Sequence, residues 1–312
     1  MYNSPHPVTL KSGMEKSMRL KAPCALCGEY SEMTGEHVIA SWIGKIVGYE
    51  AKVTYNTFRF DGQNEEREVE HIGGHRESKI PVLCEPCNSE WSSQIQNETR
   101  EFLKPVLEGE RWYLSMKERE QLATWMSLYT IVRQFLDPQL VVIPPERRLS
   151  FYKSSRKTIR QVSRRKATVG LNGYPVPGIN VWITKFDGDL ANFASHYRAI
   201  QLISTKREDV KQEGARLNTY FSAVAFGNLV LLAFGSNLPS MQNMCNLSVL
   251  SINHYLRHIG MQQVWPNYAK YDSENKAAFR DQEFHQIIED MTEILDHAIR
   301  GEHHAPAGYR EG

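Results

Sequence analysis

Cys24-Ala25-Leu26-Cys27, then Gly35-Glu36-His37-Val38-Ile39, then Cys84-Glu85-Pro86-Cys87-Asn88: these three runs decide how the N-terminal part of the chain folds. Each Cys-x-x-Cys knuckle offers two thiolates, and Zn²⁺ takes four ligands in a tetrahedron, at about 2.3 Å when they are sulfurs. One ion held by Cys24, Cys27, Cys84 and Cys87 closes the 56 residues between the pairs into a loop. The chain-entropy cost of such a loop grows only slowly with its length. The same ion draws Glu36, His37 and Asn88 together, although 50 residues separate the last two. Two chance pairs, or a redox-active Cys-x-x-Cys, are the competing readings.

The bulk composition sets the outer limits. At 312 residues, 41% hydrophobic and 23% charged, the chain matches an ordinary globular protein with room for a large core and two domains. The first twenty residues hold no apolar h-region, and no run of about eighteen apolar residues occurs anywhere, so neither a signal peptide nor a membrane span is expected. Five cysteines, four of them in knuckles, suit metal binding in a reducing, cytoplasmic setting better than disulfides. The fifth, Cys245, is expected to be a buried, inert thiol.

Net charge is only +1, yet the charge is unevenly spread. Arg147, Arg148, Lys153, Arg156, Lys157, Arg160, Arg164, Arg165 and Lys166 follow one another with no acidic residue between, while the stretch from Asp272 to Glu302 is acidic. A concentrated basic strip on a near-neutral protein can bind a polyanion locally. Arg156, Lys157, Arg160, Arg164, Arg165 and Lys166 are therefore candidate nucleic-acid contacts. A solvated basic helix face or a mobile loop is the other reading.

Along the chain, residues 1–21 read as a loosely ordered lead-in, 22–104 as the zinc domain, 105–302 as an α+β domain with an antiparallel sheet and flanking helices, and 303–312 as a tail. His37 to Ile43 reads as a strand or short helical turn packed on the metal site. Asp61 to Ser78, polar and carrying Gly62, Gly73 and Gly74, reads as an insertion loop. Trp91, Ile95 and Phe102 have helical spacing, with Asn88 near the start as a cap. Ser115-x-x-Glu118 is a capping box that opens a helix through Leu122, Trp125, Met126, Tyr129, Val132 and Leu136, stopped by Asp137-Pro138. Strands are expected at Ile179–Phe186, Tyr197–Ile203, Leu217–Phe226 and Leu229–Phe234, the last two joined by a Gly227-Asn228 turn. Leu247–Tyr255 and Gln262–Trp265 read as further strands. Phe284 to Ile299 reads as a final helix closed by Gly301. Trp42, Trp91, Trp182, Tyr197, Tyr220, Trp265 and Tyr268 read as core aromatics rather than stacking platforms.

In combination, Cys24-x-x-Cys27, Gly35-Glu36-His37-Val38-Ile39 with Trp42-Ile43, and Cys84-x-x-Cys87-Asn88 with Trp91 resemble the HNH endonucleases, whose core is a zinc-stabilised ββα-metal (treble-clef) unit. The resemblance covers roughly residues 22–104, a third of the chain. It implies that Cys24, Cys27, Cys84 and Cys87 hold a structural zinc. It further implies that Glu36 and Asn88 hold a catalytic divalent ion, Mg²⁺ or Mn²⁺, and that His37 is the general base. Hydrolysis of DNA to 5′-phosphate and 3′-hydroxyl ends follows from the same resemblance, as does a setting in phage defence or restriction. Ala40 stands where such proteins often have proline. Lys79 stands where the family's middle asparagine orients the histidine, a duty that a backbone carbonyl can also perform.

The residue types suit phosphodiester hydrolysis. A neutral imidazole has the pKa to take a proton from water near neutral pH, and a hard cation binds oxygen donors and phosphate. A single site cuts one strand per encounter, so a monomer nicks and a dimer makes a double-strand break, while the C-terminal domain positions the duplex, a partner protein or both. The alternative is a catalytically inert zinc-stabilised module for nucleic-acid binding or adaptor work, in which Glu36 is a surface acid beside a packing histidine. An RNase is a third reading. Glu70, His71, His75 and Glu77 read as loop residues without catalytic duty, since Gly73-Gly74 breaks any helix that would align the histidines; an extension of the active site or a phosphate contact is the other reading.

Overall fold

The computed structural model describes residues 20–47, 52–60, 66–74, 79–154, 175–188, 194–200, 217–238, 247–266 and 278–300, with the backbone alone for 52–60, 66–74, 247–251 and 292–300. Several sequence expectations lie outside these residues: the basic positions Arg156, Lys157, Arg160, Arg164, Arg165 and Lys166, the fifth thiol Cys245, and His75, Glu77, Tyr268, Gly301, His303 and His304. The architecture is mixed helix and largely antiparallel sheet, an α+β fold with the cysteine cluster near the N-terminus.

Three antiparallel strands frame the knuckles: β1 (Lys21–Pro23), β2 (Tyr30–His37) and β5 (Lys79–Cys84), in the order β1-β2-β5. The β2–β5 register pairs Met33 with Cys84 and His37 with Lys79, and it slips between Thr34 and Gly35. After His37 the chain buries Val38, Ile39 and Ala40 and enters the short helix α1 (Ser41–Val47), which buries Trp42 and Ile43. The run from His37 to Ile43 thus ends one element and begins the next.

Beyond Cys84 the backbone forms a wide π-helical turn, Pro86–Ser92, that runs into α2 (Ser93–Leu107). Next comes α3 (Met116–Arg133), whose cap is the expected box. Ser115 Oγ accepts from the Glu118 amide at 3.3 Å, and Glu118 Oε2 accepts from the Ser115 amide at 2.8 Å. A 3₁₀ turn, Gln134–Leu136, then leads to Asp137-Pro138, which ends the helical run.

The main sheet has seven strands in the order β10-β6-β9-β8-β7-β3-β4. They are β3 (Lys52–Phe60), β4 (Glu66–Gly74), β6 (Ile179–Lys185), β7 (Ala194–Ile200), β8 (Thr219–Phe226), β9 (Leu229–Ser236) and β10 (Gln262–Trp265). All neighbours are antiparallel except β3 and β7. Gly227, at φ +58°, makes the β8–β9 turn, a backbone state that favours glycine. Every residue of β8 and β9 is buried, because the sheet is covered on both faces. Leu229, Leu231 and Ala233 join α2, α3 and the cysteine lobe in one core, while Val230, Leu232 and Phe234 meet the helices Leu247–His258 and Asp281–Arg300 in another.

Two expectations are corrected here. The stretch Asp61–Ser78 is not all loop, because residues 66–74 form β4 at the sheet's edge, paired along its length with β3. Strand β3 is itself parallel to β7, so residues 52–74 extend a sheet built mostly from residues 179–265. An edge strand tolerates charge, and the charge-rich run Glu66 to Glu70 conceals strand pairing behind polar composition. Leu247–Tyr255 is helical, part of the helix Leu247–His258. A short apolar run has no decisive period, and here the step from Ile252 to Tyr255 and Leu256 carries the buried face.

Candidate metal centre and active site

The four cysteines meet. Their sulfurs all lie within 4.8 Å of one another, and Cys27 Sγ is 3.7 Å from Cys84 Sγ. A tetrahedron with metal–sulfur bonds of about 2.3 Å has edges of about 3.8 Å, so this spacing fits Zn²⁺. The knuckles are locked by backbone bonds: Ala25 N donates to the Val82 carbonyl at 2.9 Å, Gly28 N to the Cys24 carbonyl at 3.0 Å, and Cys84 N to Cys24 Sγ at 3.4 Å. Gly28 takes φ +77°, which the tight turn requires.

Thiols this close share protons unequally. The Cys87 thiol donates to Cys24, which lowers the Cys24 pKa, with help from the Cys84 amide, and raises that of Cys87. Burial raises Cys27. Several touching thiolates repel one another, whereas a dication lets all four ionise. Four cysteines so placed could bind a metal such as zinc.

Glu36 lies on the face of β2 that meets the helical run after Cys87. It is 4% exposed, and its Oε1 accepts from Gln96 Nε2 at 2.8 Å. Burial pushes its carboxyl up to about 7; hydrogen bonds from Gln96 and Ser92, and the charge of Lys79, pull the other way. Asn88 is half-buried in the π-helical turn, and its Nδ2 donates to Thr34 Oγ1 at 2.8 Å. Ser92 stands between the two: its hydroxyl proton goes to the Asn88 carbonyl at 2.9 Å, and its side chain lies beside the Glu36 carboxyl. Glu36 and Asn88 therefore share one strand–helix seam.

His37, half-buried at the last position of β2, pairs across the strands with Lys79. Successive strand residues point to opposite faces, so a continued pleat turns the His37 ring toward the Lys79 side rather than the Gln96 side. The aliphatic part of Lys79 crosses Gly35, where an added Cβ would lie 3.3 Å from Lys79 Cβ.

Sequence reasoning passed over Ser92 and Gln96. A signal existed: Asn88, Ser92 and Gln96 recur every four residues, the repeat of one helix face. Of the second polar cluster, Glu70 and His71 sit on β4. Of the basic strip, Arg147 and Arg148 are bonded within the fold. Arg147 donates to the Ser236 and Asn237 carbonyls, and Arg148 to the Ala25 carbonyl. Among the described residues, no helix is long and apolar enough to cross a membrane. Compared with protein-family models, curated proteins and solved structures, the chain matches none of them.

Proposed function

We propose that the chain is a metal-dependent HNH-type endonuclease or nickase that hydrolyses DNA phosphodiester bonds. The observation that carries this reading is the four-sulfur cluster with Glu36 and Asn88 on either side of Ser92 and His37 next in the chain. In this reading zinc at the cysteines is structural and holds β2 against the helix. His37, partly open to solvent, would take the proton from the attacking water, which requires its ring to turn from the Lys79 side to the face that carries Glu36. The Glu36 carboxylate and the Asn88 side-chain oxygen would hold Mg²⁺ or Mn²⁺, which supplies charge neutralisation at the scissile phosphate and the leaving oxygen. Arg156, Lys157, Arg160, Arg164, Arg165 and Lys166 would contact the DNA backbone, giving affinity that falls with salt. The remainder of the fold would position the duplex, a partner protein or a second copy of the chain. A cytoplasmic role in phage defence or restriction fits this chemistry.

One observation favours a second reading, the inert zinc-stabilised nucleic-acid-binding or adaptor module. Glu36 is almost wholly buried, and Gln96 already occupies one of its oxygens. Nicking of supercoiled plasmid with Mg²⁺ or Mn²⁺ separates the two. His37→Ala and Asn88→Ala, each checked for folding and zinc content, should lose nicking by about 100-fold or more, as removal of a general base or a metal ligand does. Equal cleavage by wild type and His37→Ala refutes the catalytic assignment. Offering RNA under the same conditions tests the polymer.

A further inference from the structure

Arg148 stands in the helical residues 145–154, only 8% exposed, and its Nη1 donates to the Ala25 carbonyl at 2.7 Å. Ala25 lies inside the first knuckle, directly after Cys24. The guanidinium also covers the Phe135 ring, 5.0 Å from its centroid. An arginine does not give up its proton in proteins, so burying one calls for a compensating charge. Among the described residues no carboxylate forms an ion pair with it. Glu146 on its own helix is exposed and two positions away, a spacing that does not face it. Through the Ala25 carbonyl the guanidinium is held one residue from Cys24. Zinc bound by four thiolates carries a net double negative charge, buried at the same place.

We propose that Arg148 is the counter-cation of the four-cysteine metal cluster: anchored on the Ala25 carbonyl, its guanidinium offsets the charge that the thiolates leave uncompensated, and so raises zinc affinity. The inference rests on the metal reading of the cysteines. A purely mechanical role is the competing account, because the same helix packs Phe151 and Tyr152 edge-on against Trp91, at 5.2 and 5.5 Å between ring centroids, one turn beyond Cys87. Arg148 acts through the ligands and is a positioning residue.

The test measures zinc content and zinc affinity, by competition with a chromogenic chelator, on the full-length wild type and on Arg148→Met, Arg148→Lys and Phe151→Ala. Arg148→Met should lower affinity by about 10- to 100-fold, the range seen when a partner of a metal ligand is lost. Arg148→Lys, which keeps the charge, should lose less. Phe151→Ala should lower the melting temperature while leaving affinity within about threefold, well short of that range. Cys27→His replaces a thiolate with a neutral ligand, and in that background the Arg148→Met penalty should shrink. Undiminished affinity in Arg148→Met overturns the inference, as does an equal loss in Phe151→Ala or an equal penalty in both backgrounds. Should Arg148→Met fail to fold, Arg148→Gln decides by the same criterion. A wild-type chain that holds no zinc and takes none up overturns the metal reading itself, a result distinguishable from zinc held equally well with and without Arg148.

Discussion

Glu36 provides a stability prediction with a definite sign. Its carboxyl titrates at 4.5 when free and at about 7 when folded. Because burial raises the folded value, the protonated acid fits the folded protein better than the carboxylate does. Below the free value both states are protonated and Glu36 costs nothing. Between the two values the unfolded chain ionises first, and stability falls as pH rises. Above the folded value the full penalty applies, roughly 3 kcal/mol for this gap. Between about pH 5.5 and pH 8.5, a window chosen so that the thiolates keep their zinc, the change amounts to roughly 2 kcal/mol.

Glu36→Gln removes the titration while leaving an amide oxygen to accept from Gln96. Relative to this variant, the wild type should lose roughly 2 kcal/mol over that window. For 312 residues this is a relative drop in melting temperature of about 3 °C. The assay is thermal or urea unfolding of both proteins across the window, at constant zinc. If Mg²⁺ binds the Glu36 carboxylate, adding it at the alkaline end restores the wild type and leaves Glu36→Gln unchanged. Parallel pH profiles for the two proteins would refute the buried-acid account.

Three further predictions concern the frame around the site. Ser115→Ala removes the acceptor from the α3 capping box and should cost about 1 kcal/mol in urea unfolding, an effect that Ser115→Asp largely avoids. Gly227→Ala places a Cβ 2.8 Å from Val47 Cγ1 and 3.0 Å from Leu107 Cδ2 at a positive φ, and should cost about 1–3 kcal/mol. Asn228→Gly, which keeps the turn but removes the 3.0 Å bond to the Val106 carbonyl, should cost about 1 kcal/mol.

Elements whose residues obey one local rule were legible. The Ser115–Glu118 box, the three-and-four spacing from Leu122 and the Gly227-Asn228 turn each state their structure within a few positions. The cysteine pairs stated theirs across 56 residues, because few other uses fit two such knuckles. β3 and β4 were not legible, since their pairing with each other and with β7 is a long-range event. The helix at Leu247 was missed because its apolar residues fill both turns and strands. At the site, the residue types of Glu36, His37 and Asn88 announced an oxygen-and-imidazole chemistry. Sequence placed Glu36 among acids open to a cation or to solvent, whereas the fold buries it under Gln96 and Ser92. That burial depends on which face of the helix after Cys87 meets β2, and the second cysteine knuckle sets this rather than the dipeptide itself.

The four-cysteine cluster is wired into the larger core rather than attached to it. Cys24, Cys84 and Cys87 belong to the same apolar cluster as α3 and the inner face of the sheet. Arg148, Trp91 and Asn228 each cross between segments far apart in sequence. Binding free energy at a structural zinc is folding free energy, about 10–16 kcal/mol in isolated zinc peptides, and an ion taken up by these cysteines would act on packing that reaches the central strands. The opposite face of the sheet closes its own cluster with the helices Leu247–His258 and Asp281–Arg300. Loss of metal should therefore loosen the Glu36–Ser92–Asn88 seam and the α2–α3 layer before it reaches those two helices. Their amides should keep slow hydrogen exchange after chelation, while those of β2, β5 and α2 become fast. Uniform loss of protection across both faces would mean that the two clusters fold as one unit and that the seam has no separate dependence on the ion.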